Sequence, residues 1–154
     1  MGPPKEKYTH DELEAMLVID TNALDVEVVN HPDLFYRVSR QYAELMSRRD
    51  AAKTVLEETE AQVTLEAREL AVGSKVTVAE IDATVRMDQR VRRATADYNN
   101  LSAETARAQA LKEAYQQRSY AFGQLIDLQT TNYFGVNPKG RTEARDRLSA
   151  RARR

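Results

Sequence analysis

The fold is decided by residues 35–70, which read FYRVSRQYAELMSRRDAAKTVLEETEAQVTLEAREL. Side chains that form a seam recur there at steps of three and four residues, the spacing of one helix face and of a coiled coil. They are Phe35, Val38, Tyr42, Leu45, Arg49, Ala52, Leu56, Thr59, Val63, Glu66 and Leu70. No helix breaker lies between Pro32 and Gly73, so the spacing predicts one long helix whose seam needs a packing partner.

The predicted partner is a second long helix of the same chain. Gly73 and Ser74 end the first helix, and Thr77 with Glu80 forms a capping box that begins the next one. Residues 75–122 contain neither Pro nor Gly, so this second helix is expected to return antiparallel to the first.

The seam of the second helix is less regular than that of the first. One phase holds Met87, Val91, Ala94, Tyr98 and Leu101, and another holds Ala108, Leu111, Tyr115, Arg118, Phe122 and Leu125. We expect the two phases to meet near Asn99 and Asn100, either in a stutter or in a break of the helix.

Two short helices are predicted before this hairpin. Thr9 and Glu12 form a capping box for the first, and the N-cap residues 20–22 precede a second helix over residues 23–29, which His31 and Pro32 end. The fold class is therefore all-α, with short N-terminal helices followed by a hairpin of two long antiparallel helices. The predicted regions are an N-terminal arm over 1–31, a hairpin over 32–134 with its turn near 73–77, and a basic tail over 135–154.

Composition argues against catalysis and against a membrane-spanning chain. The 154 residues include no Cys, which excludes disulfides, thiolate nucleophiles and cysteine-type zinc sites. No apolar run approaches the roughly 20 residues that span a bilayer, and the N-terminus lacks the apolar core of a signal peptide. His10 and His31 lack metal-ligand spacing, and Gly73 is not part of a phosphate-binding loop. We expect a soluble, intracellular protein that is not an enzyme and needs no cofactor.

Two cationic groups lie within the hairpin, and each has two interpretations. Arg86, Arg90 and Arg93 recur at steps of four and three residues, so they either follow phosphates or pair with acidic residues nearby. The second group contains Arg48, Arg49 and Lys53. Arg49 falls on the seam itself, where an arginine either specifies the register or faces the interior of a ring.

The tail is the third cationic region. Residues 139–154 carry seven Lys+Arg and two Asp+Glu, a net charge of +5, whereas residues 1–138 carry 16 and 22, a net charge of −6. Arg141 and Arg145 belong to this tail, which suits a polyanion or an acidic protein surface. A disordered end that only aids solubility would have the same composition.

Short stretches in a fixed order carry a family resemblance. They are VIDTNAL at 18–24, Asn30, the pair Phe35-Tyr36, LEAR at 65–68 and RSYAF at 118–122. With these stretches and the helix lengths between them, the chain resembles the UvsY-type recombination mediators of T-even-like phages over most of residues 13–130.

The resemblance implies a function and a set of partners. Such mediators are helical, ring-like homo-oligomers that bind single-stranded DNA, contact single-strand binding protein and help load a RecA/UvsX-like recombinase. They act in the cytoplasm of the phage-infected bacterium. The family's basic DNA-contact stretch corresponds here to residues 65–70, where Arg68 is kept but Glu66 replaces a lysine. Lys75, the arginines near Arg90 or the tail would then compensate for the reversed charge.

Two sets of residues are predicted to serve this function. Those expected to bind DNA are Arg68, Lys75, Arg48, Arg49, Lys53, Arg86, Arg90, Arg93, Arg141 and Arg145. The C-terminal part of the second helix carries more large side chains than one hairpin partner can cover, and the family's oligomerisation is attributed to this region. Those expected to join subunits are Tyr115, Arg118, Tyr120, Phe122, Leu125 and Ile126.

The alternative function is that of a phage scaffolding or assembly-chaperone protein. In that case the hairpins assemble, and the basic tail binds an acidic coat surface. This interpretation explains the seam and the tail equally well but not the matches at residues 18–24 and 118–122. A generic coiled-coil adaptor is a third interpretation.

Overall fold

The computed structural model describes residues 8–131 of the chain, which form helices and no strand. In this range the helices are α1 (His10–Ala15), α2 (Leu24–Leu70), α3 (Val78–Met87) and α4 (Gln89–Thr130). The predicted all-α class and the packing of two long helices are confirmed. The predicted tail over residues 135–154 lies outside the described residues.

The helix α2 begins earlier than the sequence predicted. A separate short helix ending at His31 and Pro32 was expected, but α2 continues from Leu24 through Pro32, so that prediction is wrong. Pro32 has no N–H to donate to the carbonyl of the preceding turn, which weakens the helix locally. His31 is nevertheless buried against Tyr115 and Phe122, so tertiary packing holds this turn in the helix.

The two predicted capping boxes are confirmed. The Thr9 hydroxyl accepts the Glu12 N–H at 3.2 Å, and the Thr77 hydroxyl accepts the Glu80 N–H at 3.3 Å. Between α2 and α3, Gly73 has a φ of +86°, which glycine adopts without strain just after a helix. The turn therefore falls where the sequence placed it.

Either a stutter or a break of the second helix was expected near Asn99 and Asn100; no break lies there, and the helix is interrupted at Asp88 instead. Asp88 has an extended conformation with φ −62° and ψ 131°. Its N–H donates to carbonyls of α3, and its carboxylate accepts the Arg90 N–H at 2.7 Å, so Asp88 both ends α3 and caps α4. The helix α4 is continuous through Asn99 and Asn100.

The chain divides into two compact units, each described by itself. In the first, residues 8–34 pack with residues 114–131, and the buried side chains are Leu13, Leu24, His31, Tyr115, Arg118 and Phe122. Three elements meet in this unit: α1, the start of α2 and the end of α4.

The second unit, Phe35–Glu113, contains the antiparallel hairpin. The order of contacts sets the direction: the Lys112 ammonium lies 5.0 Å from the Tyr42 ring centre, and the Arg90 guanidinium bonds to Glu66. The fully buried apolar side chains are Val38, Val63, Val91, Ala108 and Leu111. Most other seam residues are only half-buried.

Candidate nucleic-acid interface

Two of the predicted cations on α2, Arg49 and Lys53, lie beside acidic residues. The Arg49 Nη2 atom lies 2.6 Å from the Asp50 carboxylate, and the Lys53 ammonium lies 3.7 Å from the Glu57 carboxylate. A hydrogen bond from its guanidinium to Asp50 raises the pKa of Arg49. These cations are therefore largely neutralised within the protomer, which weakens their case as phosphate contacts.

Arg86, Arg90 and Arg93 do not form the single helical face that their spacing predicted. Asp88 interrupts the helix between them, so Arg86 belongs to α3 whereas Arg90 and Arg93 belong to α4. The fixed relation between residues four apart holds only within one continuous helix.

Arg90 is instead the centre of an ion-pair cluster in the hairpin. Its Nη2 atom lies 2.5 Å from a Glu66 oxygen and 3.0 Å from an Asp88 oxygen. Hydrogen bonds from Arg90 lower the pKa of both carboxyls, and the two carboxylates raise the pKa of Arg90. Glu66, which reverses a charge relative to the resembled family, thus bonds α2 to α4.

Cations without an ion pair in the described residues gather near the turn of the hairpin. Residues 68–93 carry six Lys+Arg and four Asp+Glu, a net charge of +2. Of these six cations, Arg90 is paired, whereas the others are exposed and make no ion pair among residues 8–131. We call these five side chains the turn cations: Arg68, Lys75, Arg86, Arg92 and Arg93.

Three of the turn cations lie on neighbouring helices, because the hairpin brings the end of α2 beside the start of α4. Arg68 is in the last turn of α2, within one turn of Glu66, and Arg92 and Arg93 are within one turn of Arg90. Since Glu66 and Arg90 are bonded, these arginines lie on neighbouring helices. Four of the turn cations were predicted from the sequence to bind DNA, and the fifth, Arg92, is the neighbour of Arg93 on α4.

Apolar side chains are exposed at the same end of the hairpin. Leu70 and Met87, both predicted to lie on seams, are 87% and 72% exposed, and Val72 and Val78 are exposed as well. Within residues 8–131 the seam of α2 has no helix packed against it at this end, because α2 ends at Leu70 and α3 does not begin until Val78.

The predicted oligomerisation residues fall into two classes. Tyr115, Arg118 and Phe122 are buried inside the first unit, where α1 and the start of α2 cover them. The large side chains that suggested a contact between subunits are thus partly covered by the same chain. Leu125 is half-buried, and the two residues that remain exposed are Tyr120 and Ile126.

Arg118 lies in a buried polar cluster. Its Nη2 atom lies 2.5 Å from Glu27, its Nε donates to the Leu17 carbonyl at 3.2 Å, and its Nη1 lies 3.2 Å from His31 Nδ1. Because a guanidinium has only donors, His31 Nδ1 is the acceptor, and the neutral ring carries its proton on Nε2. Burial lowers the pKa of His31, and the charge of Arg118 lowers it further. Sequence analysis did not predict this cluster.

The remaining predicted site residues lie in a surface groove or outside the described residues. Arg48 lines a surface groove, described below, and Arg141 and Arg145 lie outside the described residues. Among residues 8–131, no group of His, Asp or Glu side chains is arranged to hold a metal ion. No helix in that range is long and apolar enough to cross a membrane.

Comparisons with known proteins give no relative for this chain. No protein-family model matches it, and no curated protein or solved structure shows significant similarity to it.

Proposed function

We propose that this protein is a recombination mediator, which binds single-stranded DNA as a ring-like homo-oligomer and loads a RecA/UvsX-like recombinase in place of single-strand binding protein. The observation that carries the proposal is the set of turn cations, which make no ion pair among residues 8–131, whereas Arg40, Arg49 and Lys53 on α2 are each paired. The family resemblance supplies the biological context for such a surface.

Binding through the turn cations is expected to be electrostatic and tolerant of sequence. Phosphate contacts position a protein on nucleic acid without reading bases. Residues 65–93 contain no aromatic side chain, so base stacking contributes little among the turn cations. Affinity must therefore come from counterion release, and it should fall steeply with rising salt.

Repetition of the turn cations compensates for the weakness of each site. In a ring each subunit presents the same few cations, and tethered sites bind one strand far more tightly than a single site does. A strand held on several subunits would be extended and available for a recombinase to nucleate upon. This mechanism requires no chemistry by the protein, and we expect no nucleotide hydrolysis.

The test compares one double charge change with one single charge change, both on α4. Replacing both Arg92 and Arg93 by Glu should lower affinity for single-stranded DNA and flatten its salt dependence, by a log-log slope of about 0.7 per lost phosphate contact. Arg107→Glu is the matched control, because Arg107 is also exposed and makes no ion pair in the described range but lies 14 residues further along the helix. Equal losses in both variants would show that the turn cations are not the DNA site.

A second function is favoured by the exposed apolar side chains near the turn. Leu70, Val72, Val78 and Met87 would suit a protein partner, as in a phage scaffolding or assembly-chaperone protein. The two functions differ in their DNA preference: a mediator should prefer single strands over duplex at every salt concentration, and a scaffold should show little preference. Faster recombinase assembly on coated single strands would support the mediator alone.

A further inference from the structure

The second unit contains a groove between α2 and α4 that its own side chains leave open. The groove has a volume of about 440 Å³, and its apolar lining consists of Ala52, Val55, Ala94 and Leu101. Val55 is 54% exposed at its edge. Small residues beside an exposed β-branched one form the kind of surface into which a ridge of another helix packs.

The hairpin buries little of its seam by itself. Within Phe35–Glu113 the fully buried apolar side chains are only Val38, Val63, Val91, Ala108 and Leu111, and none of these lies on α2 between Val38 and Val63. The groove lies in that interval. Helices gain most of their stability by packing an apolar face against another element, so this part of the hairpin lacks a packing layer.

The charges around the groove indicate what supplies that layer. Arg48 lines the groove together with Asp97 and Glu104, and none of the three makes an ion pair within residues 8–131. A surface that carries both a free cation and free anions is complementary to a copy of itself when a two-fold axis sets the cation of one copy against the anions of the other. In a two-fold contact, Arg48 of each copy meets the acids of the other.

We propose that the groove is a contact between two copies of this chain, whose hairpins pack face to face as a four-helix bundle. Val55 of each copy enters the groove of the other beside Ala52 and Ala94, while Arg48 pairs with Asp97 and Glu104 across the two-fold axis. A second contact elsewhere on the protomer would join such pairs into a ring with dihedral symmetry. This inference rests on the proposed homo-oligomer but not on DNA binding.

The charges allow a test by complementation between variants. Arg48→Glu should break the contact by like-charge repulsion and at least halve the mass measured by sedimentation. The double variant with Asp97→Arg and Glu104→Arg should do the same. An equimolar mixture of the two variants restores opposite charges at both ends of the contact, so it should recover the wild-type mass.

Controls separate this contact from folding and from DNA binding. Arg107→Glu makes the same charge change on α4 outside the groove, so the mass should not change. Val55→Glu tests the apolar part at an exposed position that a folded protomer tolerates, and it should also lower the mass while helicity is retained. Wild-type mass in the Arg48 and Val55 variants, or failure of the mixture to recover it, would overturn the proposal. Neither result would bear on the DNA assay of the turn cations.

Discussion

Removing one buried hydroxyl, in Tyr115→Phe, should destabilise the first unit measurably. Tyr115 is fully buried, and its hydroxyl donates to the Leu13 carbonyl at 2.8 Å. That carbonyl is among the last four of α1, which have no partner inside the helix. Leu13 is only 2% exposed, so water cannot replace the lost donor.

The magnitude follows from the unsatisfied carbonyl that the substitution leaves behind. A buried acceptor without a partner costs about 1–3 kcal/mol, whereas the phenyl ring keeps the packing of Tyr115. With a urea dependence of about 2 kcal/mol per molar, the unfolding midpoint should fall by roughly 1 M. Far-UV circular dichroism follows this transition in a chain that is mostly helical.

Tyr120→Phe is the matched control for this prediction. Tyr120 lies on the same helix but is 63% exposed, and no hydrogen bond of its hydroxyl is found in the described residues. Its substitution should change the free energy of unfolding by less than about 0.5 kcal/mol. If the two substitutions had equal effects, the docking of α1 through Tyr115 would be refuted.

Two further predictions concern the buried polar cluster. Glu27→Gln should cost about 3 kcal/mol of unfolding free energy, because the Arg118 side chain, only 2% exposed, loses its counter-charge. The control is Glu44→Gln in an exposed ion pair, which should cost under about 1 kcal/mol. A similar cost for both in urea unfolding would contradict the burial of Arg118. For His31, the folded pKa lies below the ordinary 6.5, so its contribution to stability should be complete above pH 6.5 and be lost as pH falls through the folded pKa. The free energy of unfolding should therefore depend on pH differently in wild type and in His31→Gln over this range. Parallel dependences would show that the pKa of His31 is the same in the folded and unfolded states.

Some parts of the candidate site were predictable and others were not. The cationic character of residues 68–93 follows from composition, and Arg68, Lys75, Arg86 and Arg93 were named from sequence alone. Sequence could not show that Arg90 is occupied, because its partner Glu66 lies 24 residues away on another helix. Whether a cation is free depends on which acid the fold brings beside it.

The sequence by itself determined the features that depend on near neighbours. The seam of α2 follows from side-chain spacing, and the two capping boxes join residues only three apart, so their hydrogen bonds form wherever the helix begins. The turn after α2 depends in the same way on the local freedom of Gly73. Such interactions need no knowledge of the rest of the chain.

Only the tertiary structure decided the features that depend on distant contacts. The helix α2 passes through Pro32 because His31 is packed against Tyr115 and Phe122, and Tyr115 bonds to a carbonyl 102 residues away in sequence. The same packing buries Arg118 in the core of its unit. A proline inside a helix costs about 3 kcal/mol, and burial of an aromatic cluster with a paired charge outweighs that cost.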